Sequence, residues 1–149
     1  MLAERLRDDL TAAMKRRDEL ATSALRMALA GIKEAAVSGK EARDLDDDEI
    51  IKVLTKQVKK REEAAEAFRN AGRADRADRE LAEREVLAAY LPAALSPEEL
   101  EAIVNEVLAE GAFSGMAAMG PAMKAVTARV AGRADGKTVS ALVRERLAG

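Results

Sequence analysis

The sequence predicts an all-α protein, and three observations support that fold class. Most apolar residues are Ala, Leu, Val and Met, whereas aromatic residues make up only 2% of the 149 residues. Apolar residues recur at spacings of three and four along most of the chain, as one face of an α-helix requires. Charged residues, 35% of the chain, fill many of the remaining positions. We expect an N-terminal domain of about four helices over residues 1–92 and a small three-helix domain over residues 93–149.

The first two helices are predicted from apolar residues that share one side of each helix. The first side consists of Leu2, Leu6, Leu10 and Met14. The second side consists of Leu25, Ala28, Ile32 and Ala35. Asp18 marks a break or a kink between the two helices, and Gly39 is the expected C-cap of the second. The short connection favours an antiparallel helix pair.

A third, longer helix follows a polar loop at residues 40–48. Asp46, Asp47 and Asp48 offer a cap and a favourable negative charge at its start, and Gly72 marks its expected end. Its apolar side consists of Ile51, Leu54, Val58, Ala65 and Phe68.

Basic residues form a second predicted feature of these helices, a basic ridge. The ridge consists of Arg26, Lys33, Lys56, Lys60 and Arg61. Lys56 and Lys60 are four residues apart and repel each other on a helix, so helix stability does not explain them. Two interpretations stay open, namely solvated surface charge and a ridge that faces phosphates.

The fourth helix is predicted from a highly charged stretch, residues 73–84, and from the apolar side that follows it. That side consists of Leu81, Leu87, Ala88, Tyr90 and Leu91. We expect Tyr90 to be a half-buried aromatic residue at the end of the helix. Pro92 stops the helix and marks the domain boundary.

The C-terminal domain begins at a capping box in which Ser96 caps a helix and Glu99 reaches back to the Ser96 amide. Pro97 takes the first helical position, and Gly111 ends the helix. Methionine and valine side chains then line one side of the next helix: Met119, Met123, Val126 and Val130. This methionine stripe is expected to be core, because methionine fills irregular gaps between packed helices.

A helix-turn-helix corner is predicted near the end of the chain. Gly120 opens one helix, Gly132 supplies the positive φ at its C-terminus, and Asp135 with Gly136 starts the last helix. Five basic residues on or beside this corner are candidate RNA-binding residues: Lys124, Arg129, Arg133, Lys137 and Arg144. We expect Arg133 and Lys137 to lie on the turn itself.

Composition excludes several classes of function. The chain has neither cysteine nor histidine, which removes disulfides, thiolate metal sites and the usual general base. No serine has a nucleophile motif, and no phosphate loop or calcium loop is present. No apolar run of membrane-spanning length and no signal peptide is present, so we expect a cytoplasmic protein. The residues therefore predict no catalytic site, no metal and no cofactor.

The charge distribution favours a polyanionic partner. The formal net charge is −2. Residues 93–110 contain only acidic charges, whereas residues 111–149 contain six bases and two acids. A locally basic end on an acidic protein is typical of a surface that contacts phosphates.

The order of motifs along the chain resembles that of the GatB/YqeY family. The resemblance starts with Leu25, Arg26, Ala30, Ile32 and Lys33, and continues with Lys60, Arg61 and Glu62. It includes Tyr90, Leu91 and Pro92, followed by Leu95, Ser96, Glu99 and Leu100. It ends with Met119, Gly120 and Met123, residues 132–137, and the final positions Val139, Val143 and Leu147. Pro121 departs from the pattern, because a helix-forming residue such as lysine is expected there.

The resemblance implies an all-helical protein in two parts, related to the tail of the B subunit of the tRNA-dependent amidotransferase. In that enzyme the tail helps to hold the tRNA, and the active sites lie in other domains. A tRNA or another folded RNA is therefore the expected partner. An adaptor that docks on a tRNA synthetase or an amidotransferase is the alternative. A carbon–nitrogen ligase activity with glutamine as amido donor is a label that family relationship implies, but no residue set here supports it.

Overall fold

The structure is a computed structural model that describes all 149 residues, and it confirms the all-α fold class. It contains no β-strand, and a short 3-10 helix, Met116–Ala118, precedes the sixth α-helix. The seven helices are α1 (Leu2–Lys15), α2 (Glu19–Ala36), α3 (Asp47–Asn70), α4 (Ala74–Ala88), α5 (Pro97–Glu110), α6 (Met119–Val130) and α7 (Gly136–Ala148).

The chain divides into two compact units, Met1–Leu91 and Pro92–Gly149. The first contains α1 to α4 and the second contains α5 to α7. The division falls one residue before the boundary that Pro92 predicts. Each unit has its own hydrophobic core.

The core of the N-terminal unit is built around large side chains that are fully buried: Leu6, Leu25, Ile50, Leu54 and Leu87. Small residues on α2, including Ala24 and Ala28, are buried beside them. The expectation for Met14 was wrong, since Met14 is 49% exposed and Ala13 is buried in its place. A spacing of four residues advances by about 40° per step around an α-helix, so the fourth residue of such a series has turned away from the core.

Helix α2 begins as predicted and ends earlier than predicted. Asp18 is its N-cap, and the Asp18 carboxylate accepts a hydrogen bond from the Ala21 amide at 3.0 Å. The predicted C-cap Gly39 was wrong, because the helix ends at Ala36. Its last carbonyls are satisfied without a left-handed glycine: the Ser38 hydroxyl donates to the Ala35 oxygen, and the Arg43 amide donates to the Ala36 oxygen.

Helix α3 begins at a capping box formed by Asp46 and Glu49. The Arg43 guanidinium also donates to both oxygens of Glu49. The hydrogen bond from Arg43 is the largest cause that lowers the pKa of Glu49, to about 2, and the hydrogen bond from the Asp46 amide is the second. Ile50 is 1% exposed, whereas the predicted core residue Ile51 is only partly buried, so the core side of α3 starts one residue earlier than expected.

The C-terminal unit packs α5, α6 and α7 around a core centred on Val104, Val126 and Val143, all fully buried. The predicted capping box of Ser96 and Glu99 is confirmed, with Pro97 at the first helical position. Met119 and Met123 pack against this core and are partly buried, as the methionine stripe predicts. Helix α7 begins at Gly136, one residue after Asp135. None of the seven helices combines the length and the apolar content that crossing a bilayer would need.

Candidate nucleic-acid interface

The corner between α6 and α7 is made by two consecutive residues with positive φ. Ala131 ends α6 in the left-handed conformation (φ 51°, ψ 47°), and Gly132 follows with φ 78°. The prediction for Gly132 is confirmed, and Ala131 shares its role. The Arg133 carbonyl then accepts a hydrogen bond from the Leu95 amide at 2.8 Å, which ties the corner to the segment before α5.

Arg133 lies on the turn, but its guanidinium serves the backbone. Its Nε donates to the Val130 oxygen at 3.0 Å, and its Nη2 donates to the Arg129 oxygen at 3.1 Å. These are carbonyls at the C-terminus of α6, where the helix dipole favours a positive charge. Arg133 therefore stabilises the end of α6.

Arg129 is paired with acids of α5. Its Nη2 donates to Glu110 Oε2 at 2.8 Å, and its Nη1 lies 3.8 Å from Glu106 Oε2. All three side chains are more than two fifths exposed, so the pair adds little stability. It does, however, offset the charge that Arg129 would offer to a phosphate. Arg146 is paired in the same way with Glu101 at 3.2 Å.

The other three candidates, Lys124, Lys137 and Arg144, are exposed and stand outside the ion pairs that join α5 to α6 and α7. Lys137 and Arg144 are seven residues apart on α7 and therefore share one side of that helix. Lys124 is two residues from the buried Val126, which turns it away from the core side of α6. The five candidates thus divide into two engaged arginines and three exposed cations.

Asp135 occupies the N-cap position of α7 with an extended backbone (φ −66°, ψ 135°). Its side chain makes no capping hydrogen bond, so that part of the prediction was wrong. The Asp135 carbonyl accepts the first helical hydrogen bond, from the Val139 amide at 3.0 Å.

A surface cavity with a volume of about 730 Å³ lies between the starts of α5 and α7. Its lining includes the basic residues Arg133 and Lys137 and the acidic residues Glu101 and Glu145. Both signs of charge are present, so this concavity is not a purely basic pocket. Lys137 is the exposed cation of this surface.

The basic ridge of the N-terminal unit loses one member in the structure. Arg26, Lys33, Lys56 and Lys60 are exposed. Arg61 is only 6% exposed, so its assignment to a surface ridge was wrong. Arg61 lies seven residues after Leu54 and four before Ala65, both buried, and these spacings place it on the core side of α3. That periodicity is the sequence signal that identifies it.

Arg61 pairs with a residue that sequence reasoning missed, Glu83 of α4. Arg61 Nη1 lies 3.3 Å from Glu83 Oε2 and 3.6 Å from Glu80 Oε2. The Glu83 carboxylate also contacts Arg79 at 3.4 Å and accepts a hydrogen bond from the Ser23 hydroxyl at 3.4 Å. This buried network joins α2, α3 and α4.

Tyr90 is partly buried at the end of the α4 segment, as predicted, and its hydroxyl donates to Asp9 Oδ2 at 2.5 Å. The pKa of Tyr90 is raised to about 12, mainly because the phenol is partly buried and secondly because it donates a hydrogen bond to Asp9. The phenol is therefore a weaker acid than usual. No group of three or more acidic side chains is arranged to hold a metal ion.

Comparison with known proteins gives a family match over nearly the whole chain. The family model described as Yqey-like protein matches residues 3–147. The protein "Altered inheritance of mitochondria protein 41, mitochondrial" of Pyrenophora tritici-repentis is 31% identical over 145 residues, 95% of this chain and 78% of that protein. Its namesake in Lachancea thermotolerans is 32% identical over 108 residues, 70% of this chain and 57% of that protein.

A second kind of relative matches a shorter stretch. A glutamyl-tRNA(Gln) amidotransferase subunit of Thermococcus gammatolerans is 46% identical over 57 residues. These residues are 36% of this chain and 9% of the archaeal protein. The similarity therefore concerns a small part of a much larger protein.

Proposed function

This chain belongs to the YqeY-like family, and from that premise we propose that it binds folded RNA, with tRNA as the first candidate. The contacts are made by the exposed cations of the C-terminal unit, Lys124, Lys137 and Arg144. The protein acts as an accessory of translation and has no reaction centre of its own.

The observation that carries this proposal is the similarity to the archaeal amidotransferase protein, whose name states a tRNA substrate. The shared stretch is far shorter than that protein, so it corresponds to a part of it rather than to the whole. A shared stretch of this length fits a binding segment rather than a complete catalytic domain. The absence of histidine and cysteine agrees with binding rather than catalysis.

Shape recognition is the mechanism that suits these residues. Side chains cannot read the deep major groove of an A-form helix, so a helical domain contacts phosphates and 2′-hydroxyls instead. Lys137 and Arg144 lie on one side of α7 and can contact successive phosphates along a backbone. With about three phosphate contacts, affinity should fall about 40-fold between roughly 50 and 200 mM salt.

The test is filter binding of a tRNA transcript at low salt to a variant that combines Lys124→Ala, Lys137→Ala and Arg144→Ala. We expect at least about tenfold weaker binding, because three phosphate contacts are lost. The matched control is Arg129→Ala, which removes one exposed cation that is already paired with Glu110. This control should change binding much less than the triple variant does.

Equal binding by the parent and the triple variant would contradict the proposal, provided that circular dichroism shows both to be folded. Arg133→Ala is a poor test, because it also removes the cap of α6. Copurification of a tRNA synthetase or an amidotransferase that survives nuclease treatment would indicate the adaptor role instead. The isolated protein should not convert Glu-tRNA to Gln-tRNA when supplied with glutamine and ATP.

A further inference from the structure

The N-terminal unit contains a groove of about 400 Å³ between α2 and α3, bordered by α4. Met27, Ala30 and Gly31 line it from α2, and Gln57 and Arg61 line it from α3. Its volume lies within the range of about 300 to 1,000 Å³ that is usual for small-molecule sites. The RNA-binding proposal does not involve this groove.

The Gln57 side chain lies over α2, where its amide nitrogen makes a hydrogen bond and its amide oxygen makes none. A side-chain carbon at Gly31 would lie 2.1 Å from Gln57 Nε2, so the glycine makes room for this amide. Gln57 Nε2 donates to the Met27 carbonyl at 3.2 Å. The other amide atom, Oε1, is buried and has no hydrogen-bond partner within the protein.

Arg61 also keeps unused hydrogen-bonding capacity, although it is more than nine-tenths buried. Its Nη1 faces the carboxylates of Glu83 and Glu80. Its Nη2 donates to Met27 Sδ at 3.3 Å, and thioether sulfur is a weak acceptor. Its Nε has no partner within the protein, which is uncommon for a buried guanidinium.

The two unused atoms define the chemistry of a ligand. Gln57 and Arg61 are four residues apart on α3, so their side chains are neighbours on one face. Gln57 Oε1 needs a donor, and Arg61 Nε needs an acceptor. One residue of an extended peptide presents its N–H and its C=O on the same edge, as in an antiparallel strand pair.

The charges favour a neutral ligand over an anion. Two carboxylates, those of Glu80 and Glu83, already compensate the charge of Arg61. Glu34 and Glu80 line the groove together with Lys60 and Arg61, so the lining carries no excess positive charge that would favour a bound carboxylate. A neutral peptide needs no such charge.

We propose that the groove binds one extended residue of a short peptide segment. The C=O of that residue accepts from Arg61 Nε, and its N–H donates to Gln57 Oε1. Met27 is the side chain that moves: it is 50% exposed, it is unbranched, and its sulfur contacts the guanidinium that the peptide carbonyl would contact.

The experiment is a titration of the nitrogen-labelled full chain with N-acetyl-alanine-N-methylamide, followed by NMR. We expect saturable shifts of the Arg61 Nε–H and the Gln57 side-chain amide signals. Gln57→Met keeps the length of the side chain and removes the acceptor, so binding should weaken about tenfold, which corresponds to one hydrogen bond. Met27→Ala should bind more tightly than the parent, because nothing then has to be displaced.

Two controls make the result decisive. Lys60→Ala changes another residue that lines the groove and should leave the affinity unchanged. Sodium acetate at matched concentration should produce no saturable shift. The proposal is overturned if the capped alanine fails to saturate even the Met27→Ala variant, or if acetate binds as tightly as the amide does.

Discussion

Replacement of Arg61 by methionine should strongly destabilise the N-terminal unit. The Arg61 and Glu83 side chains are only 7% and 8% exposed and lie 3.3 Å apart. Removing the guanidinium leaves the Glu83 carboxylate buried, and losing one partner of a buried ion pair costs about 3 to 5 kcal/mol. Arg79 and the Ser23 hydroxyl still contact Glu83, each at 3.4 Å, so we expect about 3 kcal/mol, the lower end of that range.

The assay is urea and thermal unfolding of the full chain followed by circular dichroism. In a unit of this size, 1 kcal/mol corresponds to about 4 to 8 °C in Tm, so the Arg61→Met variant should melt at least about 12 °C below the parent. The control is the double variant Arg61→Met with Glu83→Leu. It should lose less stability than Arg61→Met alone, because no buried charge is left without its partner.

Either of two results would show that Arg61 does not stabilise the unit through its pairing with Glu83. The first is a cost below about 1 kcal/mol for Arg61→Met, which is the range of solvent-exposed ion pairs. The second is a double variant as unstable as the sum of the two single variants. Additive losses would mean that the side chains stabilise the unit independently and not as a pair.

Three further predictions concern single positions. The pKa of Glu49 is about 2 in the folded protein, against an ordinary value of 4.5. The stability that ionised Glu49 contributes is therefore complete above pH 4.5 and is lost as the pH falls through 2. In Glu49→Gln, the free energy of unfolding in urea should fall less steeply between pH 4.5 and pH 2 than it does in the parent. Tyr90 is the only tyrosine, so an ultraviolet absorbance titration should give its pKa of about 12 directly. Asp9→Asn should bring that pKa part of the way back towards 10.0, because burial remains. Ala131→Gly should raise the stability of the C-terminal unit by about 1 kcal/mol in urea unfolding, because glycine adopts the left-handed conformation without strain.

Local signals made much of the fold predictable from sequence. Asp46 and Ser96 accept hydrogen bonds from amides three residues ahead, so the residues that define these predicted caps are close together in the sequence. The positive φ of Gly132 follows from the same local logic. Gly39 shows the limit of this reasoning, because α2 ends through a hydrogen bond from the amide of Arg43, seven residues after Ala36.

Pairing across helices was the part that the sequence did not reveal. Arg129 contacts Glu110, and Arg61 contacts Glu83, at separations of about twenty residues. No short-range pattern encodes such contacts. The seven-residue spacing from Leu54 does indicate that Arg61 lies on the buried side of α3, but it does not identify Glu83 as the partner. The packing of the helices is therefore needed to tell which basic residues are available to a phosphate.

The salt dependence of tRNA binding is the most direct test of whether Lys124, Lys137 and Arg144 contact phosphates. The slope of log K against log salt counts the phosphates contacted, with about 0.9 per contact for a duplex. We expect a slope of about −2.7 for the parent, nearly the same slope for Arg129→Ala, and a slope near zero for the variant that lacks Lys124, Lys137 and Arg144. If the triple variant keeps the slope of the parent, these three side chains do not contact phosphates.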